Sequence, residues 1–337
     1  MSARTATTVK PVAIADQFDL SLIVCLYFEE ECVEEFVRQV QSELKSTAMH
    51  WEIIFVDDGS RDRTVPIVSE LAVKDPRIKL VVLSRNYGKE AAITAGIAYA
   101  TGKVMILMDP DLQDPPDRIL DFYTECMEGH DLVWGVRQQQ SRGLIEQLFS
   151  ALFWKTLRGM TGLPIPIDVA VMRSFSKRFA DAFLLFPESC RFIEGVFASI
   201  GFDTTTLEVE NRPRFAGKSK FNFSKRISLA AKAITAFSDR PLTITISAGA
   251  VGLLISLGFA IYMLCQKLFL NIGLNGWTST IAAIVFMGSL NLITIGLTGL
   301  YVGRVYREVK GRPVYLVKDT WNLTKTDDMS AGGTLHE

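Results

Sequence analysis

Asp109 and Asp111 stand one residue apart at the end of the apolar run Val104–Met108, with Gln113 two positions further on. If that run is a β-strand, side chains at i and i+2 leave it on the same side, so the two carboxylates can share one hard cation. Mg²⁺ or Mn²⁺ suits such oxygen ligands. An ion of that kind bridges diphosphate oxygens and takes up the charge that builds on a departing nucleotide. Two acids at this spacing are by themselves a weak signal. The apolar strand before them and Pro115-Pro116, which open a helix after them, strengthen it. Asp114 reads as a cap of that helix.

Two further clusters carry charge. Asp57-Asp58-Gly59-Ser60 closes the run Ile53–Val56, and adjacent acids are costly unless hydrogen-bond donors reach them. A base or ribose would supply donors; a turn with Asp58 capping the next helix accounts for one acid only. Ser84-Arg85-Asn86-Tyr87-Gly88-Lys89 puts two cations at a helix start, where backbone N–H groups favour anions, so a diphosphate suits this loop. The small residues that follow, Ala91, Ala92, Ala95, Gly96 and Ala98, read as close packing on a sheet.

The elements that must position these groups alternate along the chain. Leu20–Leu26, Trp51–Val56, Ile78–Leu83, Val104–Met108 and Asp131–Gly135 are strand candidates. Between them, Glu30–Ser46, Thr64–Val73, Glu90–Ala100 and Pro116–Glu128 have helical patterns, with Val33, Phe36, Val37, Val40 and Leu44 on one face of the first. Strand then helix, four times over, predicts an α/β domain with a mostly parallel sheet covered on both sides. Ligands of such sheets sit beyond the carboxyl ends of the strands. Glu29, Asp57, Asp58, Arg85, Asp109, Asp111 and Arg137 all fall there.

Composition divides the 337 residues. Leu242–Val302 holds a single charge, Lys267, and contains two stretches, Leu242–Cys265 and Trp277–Val302, long enough to cross ~30 Å of hydrocarbon. Arg240 precedes them and Arg304, Arg307, Lys310 and Arg312 follow, which places both ends in the cytosol by the positive-inside rule. Gly143–Thr161 and Phe221–Arg240 mix aromatics with cations; interfacial helices and core helices are both open readings. The expected organisation is a flexible start over 1–19, a catalytic domain over 20–220, an interfacial helix over 221–241, a transmembrane hairpin over 242–303 and a cytosolic tail over 304–337. In that tail Val314–Val317 reads as a short strand able to pair with another subunit, so a homo-oligomer is open, and the polar stretch from Thr324 reads as disordered. A net charge of −1 argues against nucleic acid as a partner. Five cysteines without C-x-x-C spacing fit reduced structural thiols, and three histidines away from any cysteine pair argue against zinc.

In order, Tyr27-Phe28-Glu29, Val56–Ser60, Leu83–Gly88, Met108–Pro116, Gly135-Val136-Arg137 and Arg214-Phe215-Ala216-Gly217-Lys218-Ser219-Lys220 resemble the family 2 glycosyltransferases that load polyisoprenyl phosphates. Dolichol-phosphate mannose synthase and bactoprenol glucosyltransferase belong to that group. The likeness covers roughly Ser21–Phe223, with two membrane spans beyond as in the bactoprenol branch. It implies a GT-A fold, inverting transfer, and Mg²⁺ or Mn²⁺ on Asp109, Asp111 and Gln113. It further implies a nucleotide-sugar pocket with Tyr27, Glu29, Asp57, Asp58, Arg85, Lys89 and Asp109, and a lipid-phosphate site at Arg137, Arg214, Ser219 and Lys220. Asp111 and Asp168 are the candidate catalytic residues, Asp168 as a group that orients sugar or acceptor, with a structural turn as its other reading. Cys25 and Phe28 stand where the family usually has proline and asparagine, and Val171-Met172-Arg173 where it has Gly-Phe-Arg.

The resemblance points to transfer of a hexose to undecaprenyl phosphate at the cytosolic face of the plasma (inner) membrane. Glucose from UDP-glucose comes first, ahead of GDP-mannose and an aminoarabinose donor. A processive polysaccharide synthase is the competing enzyme, although the Gln-x-x-Arg-Trp motif expected of one is missing. A nucleotide-regulated transporter is the competing non-enzyme, and two spans without an internal ion pair suit it poorly.

Overall fold

The computed structural model describes residues 18–137, 159, 161–186, 188, 192–210, 212, 240–270 and 276–323. One eight-stranded sheet organises the catalytic part. Its strands are β1 (Leu20–Leu26), β2 (Trp51–Asp57), β3 (Ile78–Leu83), β4 (Val104–Met108), β5 (Leu132–Arg137), β6 (Val169–Ser176), β7 (Thr204–Val209) and β8 (Val317–Trp321), in the order β7-β5-β6-β4-β1-β2-β3-β8.

Alternation along the central strands explains their unbroken apolar runs. Leu20, Leu22, Val24 and Leu26 of β1, with Ile53 and Phe55 of β2 and Ile106 of β4, enter one core, while Ile23, Ile54, Val56, Met105 and Leu107 enter the other. Helices α1 (Val33–Leu44), α2 (Thr64–Lys74) and α4 (Ile119–Met127) cover the first face. The second is covered by α3 (Lys89–Tyr99), α5 (Lys177–Leu184) and α6 (Ile193–Ser199). On α1 the buried residues are Val33, Phe36, Val37, Val40 and Leu44, the stripe read from periodicity. Gly96 lets α3 approach closely, since a Cβ there would lie 2.3 Å from Ile23 Cγ2.

Parallel pairing of β1 with β2 and β4, and of β2 with β3, sets the strand ends level: Leu26 lies opposite Asp57, Asp57 opposite Val82, and Val24 opposite Met108. Residues 27–29, 57–60, 84–89 and 109–113 therefore leave the sheet side by side. The fifth expected strand, Asp131–Gly135, is observed as Leu132–Arg137; Asp131 lies just before it, its N–H donating to the Asp203 carbonyl, its carbonyl accepting the Ser176 N–H and its carboxylate accepting from Ser176 and Arg178. That strand does not extend the parallel run. Antiparallel β6 lies between β4 and β5, and β7 pairs parallel to β5.

The tail also departs from expectation. The strand is Val317–Trp321 rather than Val314–Val317, and it pairs antiparallel with β3 of the same chain. β8 thus covers the β3 edge within its own chain and is itself the last strand of the sheet. Two long helices precede it, α7 (Arg240–Leu270) and α8 (Trp277–Val309). Leu242–Phe259 and Ala283–Val309 within them are long and apolar enough to cross a membrane, and their large side chains, Leu254 and Leu292 among them, lie exposed. The 143–158 part of the first amphipathic stretch, and 221–239 of the second, lie outside the described residues, as does the tail from Thr324.

At the opposite end of the sheet from the level strand termini, a polar knot closes the core. Glu52 is fully buried, pairs with Lys79 at 2.5 Å, and accepts from Ser21 Oγ and from Thr101 N and Oγ1. Removing one partner of a buried pair strands the other charge, at a cost of about 3 kcal/mol. Glu52→Gln should therefore lower the thermal midpoint of the detergent-purified protein by several degrees, whereas Glu52→Leu combined with Lys79→Met should recover most of that loss.

Candidate active site

Asp58 organises the loop after β3. One of its carboxylate oxygens accepts the Tyr87 N–H at 2.6 Å and the other the Gly88 N–H at 2.9 Å. It thus bolts the loop after β3 onto the end of β2, and it caps no helix. This carboxylate takes the N–H groups of Tyr87 and Gly88, just before the helix that starts at Lys89, and the loop also carries the cations Arg85 and Lys89 expected to suit a diphosphate. Gly59 sits beneath the same loop with φ 78°, and a Cβ there would be 2.7 Å from the backbone of Arg85 and Asn86. Only glycine meets both conditions. Arg85 stacks over the Tyr87 ring at 4.3 Å, and the Ser84 and Tyr87 hydroxyls lie 3.0 Å apart.

Asp57 is fully buried. Its Oδ2 accepts from Gly59 N and Ser60 N, while its Oδ1 meets no donor among the described residues. Burial pushes its carboxyl above the usual range, against these hydrogen bonds. A buried acceptor without a partner costs free energy until a donor arrives. Beside it, Tyr27 and Phe28 are partly exposed with rings edge to face, the Phe28 N–H donates to Ser60 Oγ, and the Glu29 N–H donates to Thr64 Oγ1. The first-strand residues and the Asp57 turn therefore form one wall.

The two acids at the end of β4 have different surroundings. Both oxygens of Asp109 accept from Lys89 Nζ, at 2.6 and 2.7 Å. Asp111 is buried, its Oδ1 accepts the Gln113 N–H, and Leu112 between them adopts φ 59°. A left-handed conformation at a branched, non-glycine residue costs about 1–3 kcal/mol and is held only where the surroundings insist on it. Phe28 (φ 56°) and Asp168 (φ 55°) share this strain, and both border the same rim. Asp168 lies beside the end of β5, its carbonyl accepting the Arg137 N–H at 3.0 Å.

No group of three or more His, Cys, Asp or Glu able to hold a metal occurs among the described residues. The donor set fits Mg²⁺ or Mn²⁺ in one way only: Asp111, Asp109 and Gln113 supply some oxygens and substrate phosphates and water the rest, as is usual for Mg²⁺. A cation on Asp109 must displace or share with Lys89. Arg214, Ser219 and Lys220, assigned to the lipid phosphate, lie outside the described residues.

Asp114 was read from sequence as a helix cap, and the structure corrects this. Its Oδ2 accepts the Met172 N–H from β6 at 3.0 Å, so it joins the strand-end acids to the far half of the sheet. Nothing in the sequence signalled β6 at that distance. Burial, then the charge of Asp109, raises its carboxyl to about 6, with Arg137 and Lys89 opposing. A raised acid favours the fold while protonated, so its contribution is full below the ordinary carboxylate range and is lost as pH rises through about 6. In metal-free protein Asp114→Asn, which keeps an acceptor for Met172, should raise the thermal midpoint at pH 7. It should also flatten the decline between pH 4 and 7, a difference on the order of 3 kcal/mol.

The glycosyl transferase family 2 profile matches residues 21–184, from β1 to the end of α5. An uncharacterized glycosyltransferase of Synechocystis is 36% identical over 90% of this chain and 96% of its own. A bactoprenol glucosyl transferase from Shigella flexneri is 34% identical over 89% of this chain and 97% of its own. Among solved structures, glucosyl-3-phosphoglycerate synthase from Mycobacterium tuberculosis, in complex with Mn²⁺, UDP-glucose and phosphoglyceric acid, aligns with TM-score 0.43 and 18% identity over 65% of this chain and 78% of that one. With a matching profile over its catalytic strands and relatives aligned along nearly their whole length, the chain belongs to glycosyl transferase family 2 and is a glycosyltransferase of GT-A fold.

Proposed function

We propose that this glycosyltransferase moves glucose from UDP-glucose onto undecaprenyl phosphate at the cytosolic face of the plasma (inner) membrane, with inversion at the anomeric carbon. The observation that carries this reading is the direction of β8. Its first residue, Val317, pairs with Leu83 at the carboxyl end of β3, and Trp321 pairs with Leu80. The chain thus arrives from α8 on the side where the charged rim lies. If α7 and α8 cross the bilayer, the rim faces the lipid headgroups. Relatives named bactoprenol glucosyl transferase, at 34% identity, support the same acceptor.

On this reading Tyr27 and Glu29 flank the nucleotide, and the unpartnered Asp57 oxygen receives a donor from base or ribose. Arg85 and Lys89 hold the diphosphate. Asp109, Asp111 and Gln113 hold a divalent ion, which when bound offsets the charge that develops on the leaving nucleotide. Arg137, with Arg214, Ser219 and Lys220, grips the acceptor phosphate by charge-assisted hydrogen bonds. One phosphate oxygen forms the new bond to the anomeric carbon as the bond to the diphosphate breaks and UDP leaves. A phosphate monoester with a second pKa near ~6 is already mostly ionised, so no strong general base is required. Asp168 orients sugar or acceptor. Alignment and charge compensation then supply most of the acceleration.

Asp111→Asn should reduce transfer in liposomes by about a hundredfold or more with the thermal midpoint preserved, and chelation should do the same to the parent protein. Full activity in chelator would remove the metal from this scheme. Asp58→Asn turns an amide NH₂ toward one of the loop N–H groups it now accepts. UDP affinity, read by calorimetry with Mn²⁺ present, should fall about tenfold without loss of fold.

A further inference from the structure

We propose that the segment 310–316 is a rigid spacer, fixing the height of the donor loop above the membrane and so positioning the rim for a lipid-borne phosphate. This inference rests on the acceptor reading above and goes beyond it. Its first support is how α8 ends. Lys310 is the C-cap, and its N–H bonds back to Tyr306 and Glu308. Gly311 follows with φ 56°, its N–H reaching the Glu308 carbonyl at 3.0 Å, and Pro313 comes two residues later. A left-handed glycine followed by proline is a fixed helix stop, not a flexible hinge.

Beyond the stop the chain is anchored almost at once. Tyr315 is buried among the residues of the α3 face of the core, where Tyr87 and Val314 also pack. The Leu316 carbonyl accepts the Ser84 N–H at 2.9 Å. β8 then pairs along β3, and Asn322 ends it with Nδ2 donating to the carbonyls of Ala72 at 2.6 Å and Ile78 at 2.8 Å. Ser84 opens the loop whose far end, Lys89, holds Asp109. The membrane helix and the donor loop are thus joined through one anchored strand.

Length makes this connection the governing one. A chain of the length of 310–316 spans at most about 25 Å when fully extended, and the turn at Gly311 shortens it. The other covalent path from the sheet to the membrane helices, 210–239, has several times as many residues. A long polyprenyl chain keeps its phosphate near the bilayer surface, so the reacting carbon must be presented at that height. A soluble acceptor carries no such demand.

The test inserts Gly-Ser pairs between Gly311 and Arg312 in the full chain, one pair in one variant and three in another. Both should keep the parental thermal midpoint and UDP affinity with Mn²⁺, because β8 stays docked. Transfer to a short, water-soluble isoprenyl phosphate should be unchanged. Transfer to undecaprenyl phosphate in liposomes should fall stepwise with length, tenfold or more for three pairs. Undiminished liposome transfer with three pairs overturns the spacer, and so does a loss that appears equally with the short acceptor while UDP still binds. If the parent protein itself uses neither acceptor, the acceptor reading fails first and the spacer falls with it.

Discussion

Strands covered by helices on both faces have no room for unpaired charge, and this constraint arranges the catalytic half of the molecule. β1 and β4 are apolar except where Ser21 meets Glu52, and β2 carries its acids only at that knot and at its last residue, Asp57. Polar chemistry is thereby expelled to the two ends of the sheet. At one end Glu52 and Lys79 neutralise each other and serve the fold. At the other, Asp57, Asp58, Asp109, Asp111 and Asp114 crowd together with Lys89 and Arg137 within electrostatic reach. This second end is the one where the loops after β1, β2, β3 and β4 leave the sheet.

That crowding is maintained by backbone rather than by side-chain pairing alone. Asp58 uses both oxygens on the loop after β3, Asp57 uses one on its own turn, and Asp111 uses one on Gln113. Each converts a charge into loop geometry. Phe28 and Leu112 follow β1 and β4, and Asp168 directly precedes β6; all three hold left-handed conformations beside this rim. Such arrangements are rigid before substrate arrives, which is what charge stabilisation of a leaving group needs.

Much of this was legible in the chain because it is local. Four strand–helix repeats have clear periodicity, and at one junction Asp57-Asp58 sits next to the glycine that permits its turn; β1, β3 and β4 and the buried face of α1 agree residue for residue. What escaped is what depends on distant pairing. β6 lies on the far side of the 138–168 stretch, and nothing in Val169–Ser176 announces that Met172 will meet Asp114. The tail strand was displaced by three residues, since Val314 and Tyr315 are apolar in order to plug the core rather than to form a ladder. The Lys89–Asp109 pair was invisible for a related reason: each residue reads sensibly as a ligand on its own, and only the seating of α3 over β1, the neighbour of β4, shows that they neutralise each other.

A charged rim on the side from which the chain returns from α8 underlies the proposed sugar transfer from a soluble nucleotide to a lipid phosphate. Its most direct test is to incubate the full-length protein in liposomes with undecaprenyl phosphate and radiolabelled UDP-glucose, extract the lipid, and identify the labelled species. Label is expected in a single lipid, polyprenyl monophosphate glucose, with free UDP released in equal amount. Label in water-insoluble polymer, or no labelled lipid while UDP-glucose is still bound, would contradict it.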